Sequence, residues 1–140
     1  MPQPDENLLA VVKQWLDRGE EDLGVAKELT EGGKPYFSAI GFHCQQAAEK
    51  FLKALLTYRQ VRFPRTHDIA RLLDLVATVD EDLAGTLADC VELTPFAVET
   101  RYPATASEVT WGDIRALLAL AEEARTGTRS RITGLPRETG

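Results

Sequence analysis

Phe42-His43-Cys44-Gln45-Gln46-Ala47-Ala48-Glu49-Lys50-Phe51-Leu52-Lys53-Ala54-Leu55 is the stretch on which the fold turns. Cys44, Ala47, Ala48, Phe51, Leu52 and Leu55 recur at steps of three and four, the period of an α-helix. Phe37, Ile40, Gly41 and Leu56 extend the same face in both directions. So broad an apolar face marks a helix packed on several sides, hence the central one. Gly41, Ala47 and Ala48 are small enough to let a neighbouring helix approach closely. The pattern predicts a helix from Pro35, a residue suited to the first helical position, to Arg59. Gln46, Glu49, Lys50 and Lys53 fall near one face; helix physics alone reads them as a solvated stripe with a Glu49–Lys53 pair worth about 0.3–0.5 kcal/mol.

Working outward, Leu8, Val11, Val12, Trp15, Leu16, Leu23, Ala26 and Leu29 repeat at the helical period from Glu6 to Thr30. Asp5 is placed to cap that helix, and Gly32-Gly33 ends it. After a polar connector, Gln60 to Arg65, a third helix is expected from Thr66, with Ile69, Leu72, Leu73, Leu75 and Val76 inward. Asp80 is placed to cap a fourth, carrying Leu83, Leu87, Cys90, Val91 and Leu93, with Pro95 kinking it or starting a new turn. Thr110-Trp111-Gly112-Asp113 has the form of a capping box opening a fifth helix through Ile114, Leu117, Leu118 and Ala121. Nothing alternates at period two over a strand's length. The expectation is all-α: a five-helix up-and-down bundle over residues 1–126, with a polar tail at 127–140 that frays.

The chain has 140 residues, 44% of them hydrophobic and 27% charged, which suits one globular domain. Its formal net charge is −6, so a diffuse nucleic-acid coat is excluded, while a local basic site is not. Cys44 and Cys90 have no metal-ligand spacing and sit among apolar residues; they read as buried thiols in a reduced compartment. No secretion signal and no apolar run of membrane-spanning length is visible, so the expectation is a cytoplasmic protein with no membrane contact.

Against that acidic background, Arg59-Gln60-Val61-Arg62-Phe63-Pro64-Arg65-Thr66-His67-Asp68 gathers three arginines in one connector, with Arg71 one turn on. Thr66 and His67 stand where a helix's free amides favour anions; a plain cap and a packed polar residue is the alternative reading. Glu99-Thr100-Arg101-Tyr102-Pro103 offers a second arginine, either as a helix end or as a planar phosphate ligand. Trp15 and Trp111 read as core or interface anchors. There is no Gly-rich phosphate loop, HExxH, GxSxG or paired-cysteine site, so neither a metal nor a cofactor is expected.

Three motifs in order resemble the HEPN (higher eukaryotes and prokaryotes nucleotide-binding) family: Gln45-Gln46-Ala47-Ala48-Glu49-Lys50 followed by Leu52-Lys53-Ala54-Leu55-Leu56, then Thr66-His67-Asp68-Ile69 with Leu72-Leu73, then Arg101-Tyr102-Pro103. Trp15 and the Asp22-Leu23…Ala26 run fit as well, and the resemblance covers about residues 7–125. It implies a homodimeric helical bundle, often encoded beside a small nucleotidyltransferase in modules that behave like toxin and antitoxin. It also implies, for many members, metal-independent ribonuclease activity from an arginine followed four to six residues later by histidine. Here Arg101 takes the arginine position, but Ala106, Ser107 and Glu108 fill the histidine slot. Two functions follow. One is a binding module, the dimeric partner of a nucleotidyltransferase, contacting nucleotide or RNA phosphate through Lys53, Arg62, Arg65, His67, Arg101 and Tyr102. The other is a ribonuclease using Arg101 with His67 as an unconventional base.

Overall fold

The computed structural model describes residues 5–97 and 109–135, whose regular structure is all helix, with no strand among them. Helix α1 spans Glu6–Glu31, α2 Phe37–Tyr58, α3 Ile69–Ala77 and α4 Glu81–Thr86; a 3-10 helix, η1, spans Ala88–Phe96, and α5 spans Trp111–Arg129. The chain is thus a bundle of five α-helices with one 3-10 helix among the described residues, and α2 lies at its centre against α1, α3, η1 and α5.

The buried face of α2 explains that position. Ile40, Cys44, Ala47, Ala48, Phe51, Leu52, Ala54, Leu55 and Leu56 are all fully buried. They cover more than half of the helix circumference, so several neighbours must pack on it, while the stripe of Ala39, His43, Gln46, Lys50 and Thr57 stays half-exposed. Small residues decide how near those neighbours come. A Cβ added to Gly41 would stand 2.2 Å from the Phe96 ring, and one added to Gly19 of α1 would stand 2.9 Å from the Phe51 ring. None of the described helices is long and apolar enough to cross a membrane.

The helix starts follow local chemistry. Asp5 accepts from the Leu8 amide at 2.7 Å, and Asp80 from the Leu83 amide at 3.0 Å. At α5 the capping box closes both ways: the Asp113 amide donates to Thr110 Oγ1 at 3.2 Å, and the Thr110 amide to Asp113 Oδ2 at 2.9 Å. Trp111 then packs edge-on against Phe37, with centroids 4.9 Å apart.

Four boundaries differ from the sequence reading. Pro35 lies outside α2, whose cap is Tyr36; that residue keeps a non-helical ψ of 54°. Helix α3 begins at Ile69 rather than Thr66, because Asp68 takes the cap and accepts from the Ala70 amide at 3.0 Å. The expected fourth helix divides at Leu87 into α4 and η1, and Pro95 sits inside the tighter 3-10 segment. At the C-terminal end, α5 runs on to Arg129, Thr128 is fully buried and Ile132 joins the core at 7% exposure. Gly127, which looks in sequence like the onset of a tail, is a close-packing site: a Cβ there would lie 2.9 Å from Leu83.

Candidate functional site

The interior of α2 contains charge. Gln45 is 0% exposed, Glu49 2% and Lys53 8%, although the sequence reading put Glu49 and Lys53 on a solvated stripe. Steps of four residues stack these three side chains along one side of the helix. A carboxylate this deep persists only if donors surround it. Glu49 accepts from Lys53 Nζ at 2.7 Å, Gln46 Nε2 at 3.2 Å and Gln45 Nε2 at 3.3 Å. His67 Nδ1 completes the set, 2.9 Å from Glu49 Oε1 and 3.1 Å from Oε2. The Lys53 ammonium also lies over two rings, 5.6 Å from the Trp15 centroid and 5.9 Å from that of Phe63.

The same chain of contacts ties α1 to α2. Lys50 Nζ donates to Asp22 Oδ2 at 2.5 Å and to Gln46 Oε1 at 3.4 Å, while His43 Nδ1 lies 2.9 Å from Asp22 Oδ1. One polar spine therefore runs from His43 through Asp22, Lys50, Gln46 and Glu49 to His67.

The connector after α2 is set by backbone chemistry. The Val61 amide donates to the Leu56 carbonyl at 2.8 Å and the Gln60 amide to that of Thr57 at 3.0 Å, the paired bonds of a Schellman ending. Gln60 supplies the left-handed residue this ending requires, with φ at 59°. Beyond it Val61 and Phe63 are half-buried, and Phe63 meets Trp15 edge-on at 6.2 Å. Arg62, Arg65 and His67 remain exposed. Gln45 Nε2 holds the His67 carbonyl at 3.0 Å, so both backbone and ring of His67 are fixed by α2 while 65% of its side chain stays open.

Of the residues singled out in sequence, the structure brings Lys53 and His67 onto one carboxylate. Lys53 lies behind the connector as counter-ion to Glu49. Arg62 and Arg65 are exposed and form no ion pair with any described residue. Arg101 and Tyr102 lie outside the described residues, as do Ala106, Ser107 and Glu108. Gln45, Glu49, Asp22 and His43 were missed as site-builders. Nothing local set the buried Gln45 and Glu49 apart from the half-exposed Gln46 and Lys50 beside them on α2. No local signal marked the Asp22–His43 pair.

Two further features bear on chemistry. Cys44 and Cys90 are free and buried, and burial pushes each thiol up to about 12. Burial alone would raise the Glu20 carboxyl, but hydrogen bonds and charge from Arg125 and Arg129 hold it below its ordinary value. No cluster of three or more metal-ligating side chains occurs among the described residues.

Comparison with known proteins agrees with this architecture. The crystal structure of TT1696 from Thermus thermophilus is similar, at 27% identity and a TM-score of 0.69, over 86% of this chain and 98% of that one. No curated protein matches. The HEPN domain model matches residues 12–129, spanning the polar spine and the basic connector, and the chain belongs to the HEPN domain family.

Proposed function

We propose that this chain is a dimeric, non-catalytic helical partner of a minimal nucleotidyltransferase in a toxin–antitoxin-like module, and that it contacts nucleotide or RNA through its basic connector, with Arg62 and Arg65 on phosphate and His67 beside them. Membership of the HEPN domain family supports this reading. The observation that carries the binding role is the connector: Arg62 and Arg65 are exposed and form no ion pair among the described residues of an acidic protein, beside a His67 whose carbonyl is held to α2 by Gln45 and whose ring by Glu49. A preorganised basic loop focuses local potential, and guanidinium forks suit phosphate oxygens. Cytoplasmic placement and homodimerisation belong to the same reading.

The test is fluorescence anisotropy with a labelled RNA oligonucleotide. Changing Arg62 and Arg65 together to Ala should weaken binding uniformly across sequences and lower the salt slope by about 2, one for each arginine removed from a phosphate. Unchanged affinity with an intact fold would refute the assignment. Sedimentation should give about twice the 15.5 kDa chain mass. Pull-down with the product of the neighbouring gene tests the partnership.

One observation favours a second reading, a metal-independent ribonuclease drawing on Arg101: a buried carboxylate holds His67 by one ring nitrogen and leaves the ring exposed, as a general base requires. Cleavage of a structured RNA in chelator, abolished by both Arg101→Ala and His67→Ala, would establish it. The expected result is no cleavage.

A further inference from the structure

We infer that Glu49 positions Nε2 of His67 as a hydrogen-bond acceptor for a ribose hydroxyl, so that the connector selects ribonucleotide over deoxyribonucleotide chains. This rests on the reading of Arg62 and Arg65 as phosphate contacts.

Glu49 faces an ammonium at 2.7 Å and two amide donors at 3.2 and 3.3 Å, the surroundings of an ionised group. An ionised carboxylate only accepts hydrogen bonds. His67 Nδ1, 2.9 and 3.1 Å from its two oxygens, must therefore carry the hydrogen. A neutral imidazole has one N–H, so its Nε2 presents a bare lone pair. That lone pair is aimed as well as available. The ring is bonded to both Glu49 oxygens, and the His67 carbonyl is held by Gln45 at 3.0 Å. The side chain is 65% exposed, and Nε2 has no partner among the described residues.

A lone pair needs a hydrogen from its ligand. A phosphodiester has none to offer, so phosphate is work for Arg62 and Arg65 rather than for an acceptor nitrogen. The hydroxyl nearest a backbone phosphate is the ribose 2′-OH, the group by which a protein distinguishes RNA from DNA. The chemistry of the site is thus divided. Two guanidinium groups take the charge common to all nucleic acids, and one imidazole nitrogen takes the group that only RNA carries. Glu49 does not touch the ligand in this arrangement. It acts through His67 by fixing its tautomer and direction.

The experiment compares three fluorescein-labelled dodecamers, of uridine, deoxyuridine and 2′-O-methyluridine, by anisotropy against the full chain. The wild type should bind the uridine oligomer ~5–10-fold more tightly than the other two, the worth of one hydrogen bond per site. The 2′-O-methyl oligomer keeps the oxygen but lacks the hydrogen, so it separates donation from shape without any change to the protein. His67→Asn keeps an N–H for Glu49 but has no atom in the place of Nε2. It should reduce uridine binding to the deoxyuridine level and leave deoxyuridine binding unchanged. A purely structural His67 predicts that this variant behaves as wild type. Equal wild-type binding of all three oligomers, or a ribose preference that survives His67→Asn, would overturn the inference while leaving the phosphate reading intact. Failure to bind any of the three would overturn both.

Discussion

Replacing Glu49 with Gln tests the polar spine most directly. The change is nearly isosteric, so it removes charge without opening a cavity. Lys53 would be left 8% exposed, with its ammonium between Trp15 and Phe63 and no counter-ion at 2.7 Å. Breaking a buried ion pair from one side costs ~3–5 kcal/mol, since the surviving charge stays desolvated. Against a domain stability of ~5–15 kcal/mol this is a large fraction. It corresponds to a fall in melting temperature of about 10–15 °C for a chain of this size. The assay is urea denaturation followed by circular dichroism, applied to Glu49→Gln, Lys53→Met and the double variant. Methionine places an apolar group of similar length beside the two rings, so the double variant should recover most of the loss. A coupling of ~2 kcal/mol or more is expected from the cycle. Additivity within ~0.5 kcal/mol, or a single variant as stable as wild type, would refute the claim that Glu49 and Lys53 are a buried, interdependent pair.

Other consequences are accessible to simple measurements. Gly41→Ala should destabilise by ~1–3 kcal/mol, because its Cβ would meet Phe96 at 2.2 Å, whereas Gly24→Ala, with nothing within 4 Å, should stabilise by ~0.5–1 kcal/mol; paired denaturant curves decide. Cys44 and Cys90 should resist thiol reagents until the chain unfolds. Their folded values of about 12 stand above the ordinary 9.0, so the stability they contribute is complete below pH 9 and declines as pH rises towards 12. Glu20 behaves in the opposite sense. Its folded value lies below 4.5, so the stability from its contacts with Arg125 and Arg129 is present above that pH and is lost as pH falls through the folded value; a Glu20→Gln variant should show a shallower acid decline.

What the sequence determined by itself is the set of interactions that close within about one helical turn. Apolar residues at steps of three and four placed the five α-helices and named α2 as the central one. Asp5, Asp80 and the Thr110–Asp113 box marked helix starts because each cap bonds an amide only three residues away. Where two local signals competed, the sequence could not choose. Thr66 and Asp68 both suit a cap, and Asp68 prevails while the His67 carbonyl is taken by Gln45. The burial of Glu49 and Lys53 was decided by the tertiary structure alone. On an isolated helix their i,i+4 pair would be solvated; it becomes a buried one because Trp15 and Phe63 arrive from α1 and the connector to cover it. The partners that build the site lie 18 residues apart for His67 and Glu49, 21 for His43 and Asp22, and 28 for Lys50 and Asp22. Such contacts leave no periodic trace in the chain, because their geometry exists only once the helices have packed. Only then does desolvation turn a stripe of ordinary surface charges into a fixed support for His67.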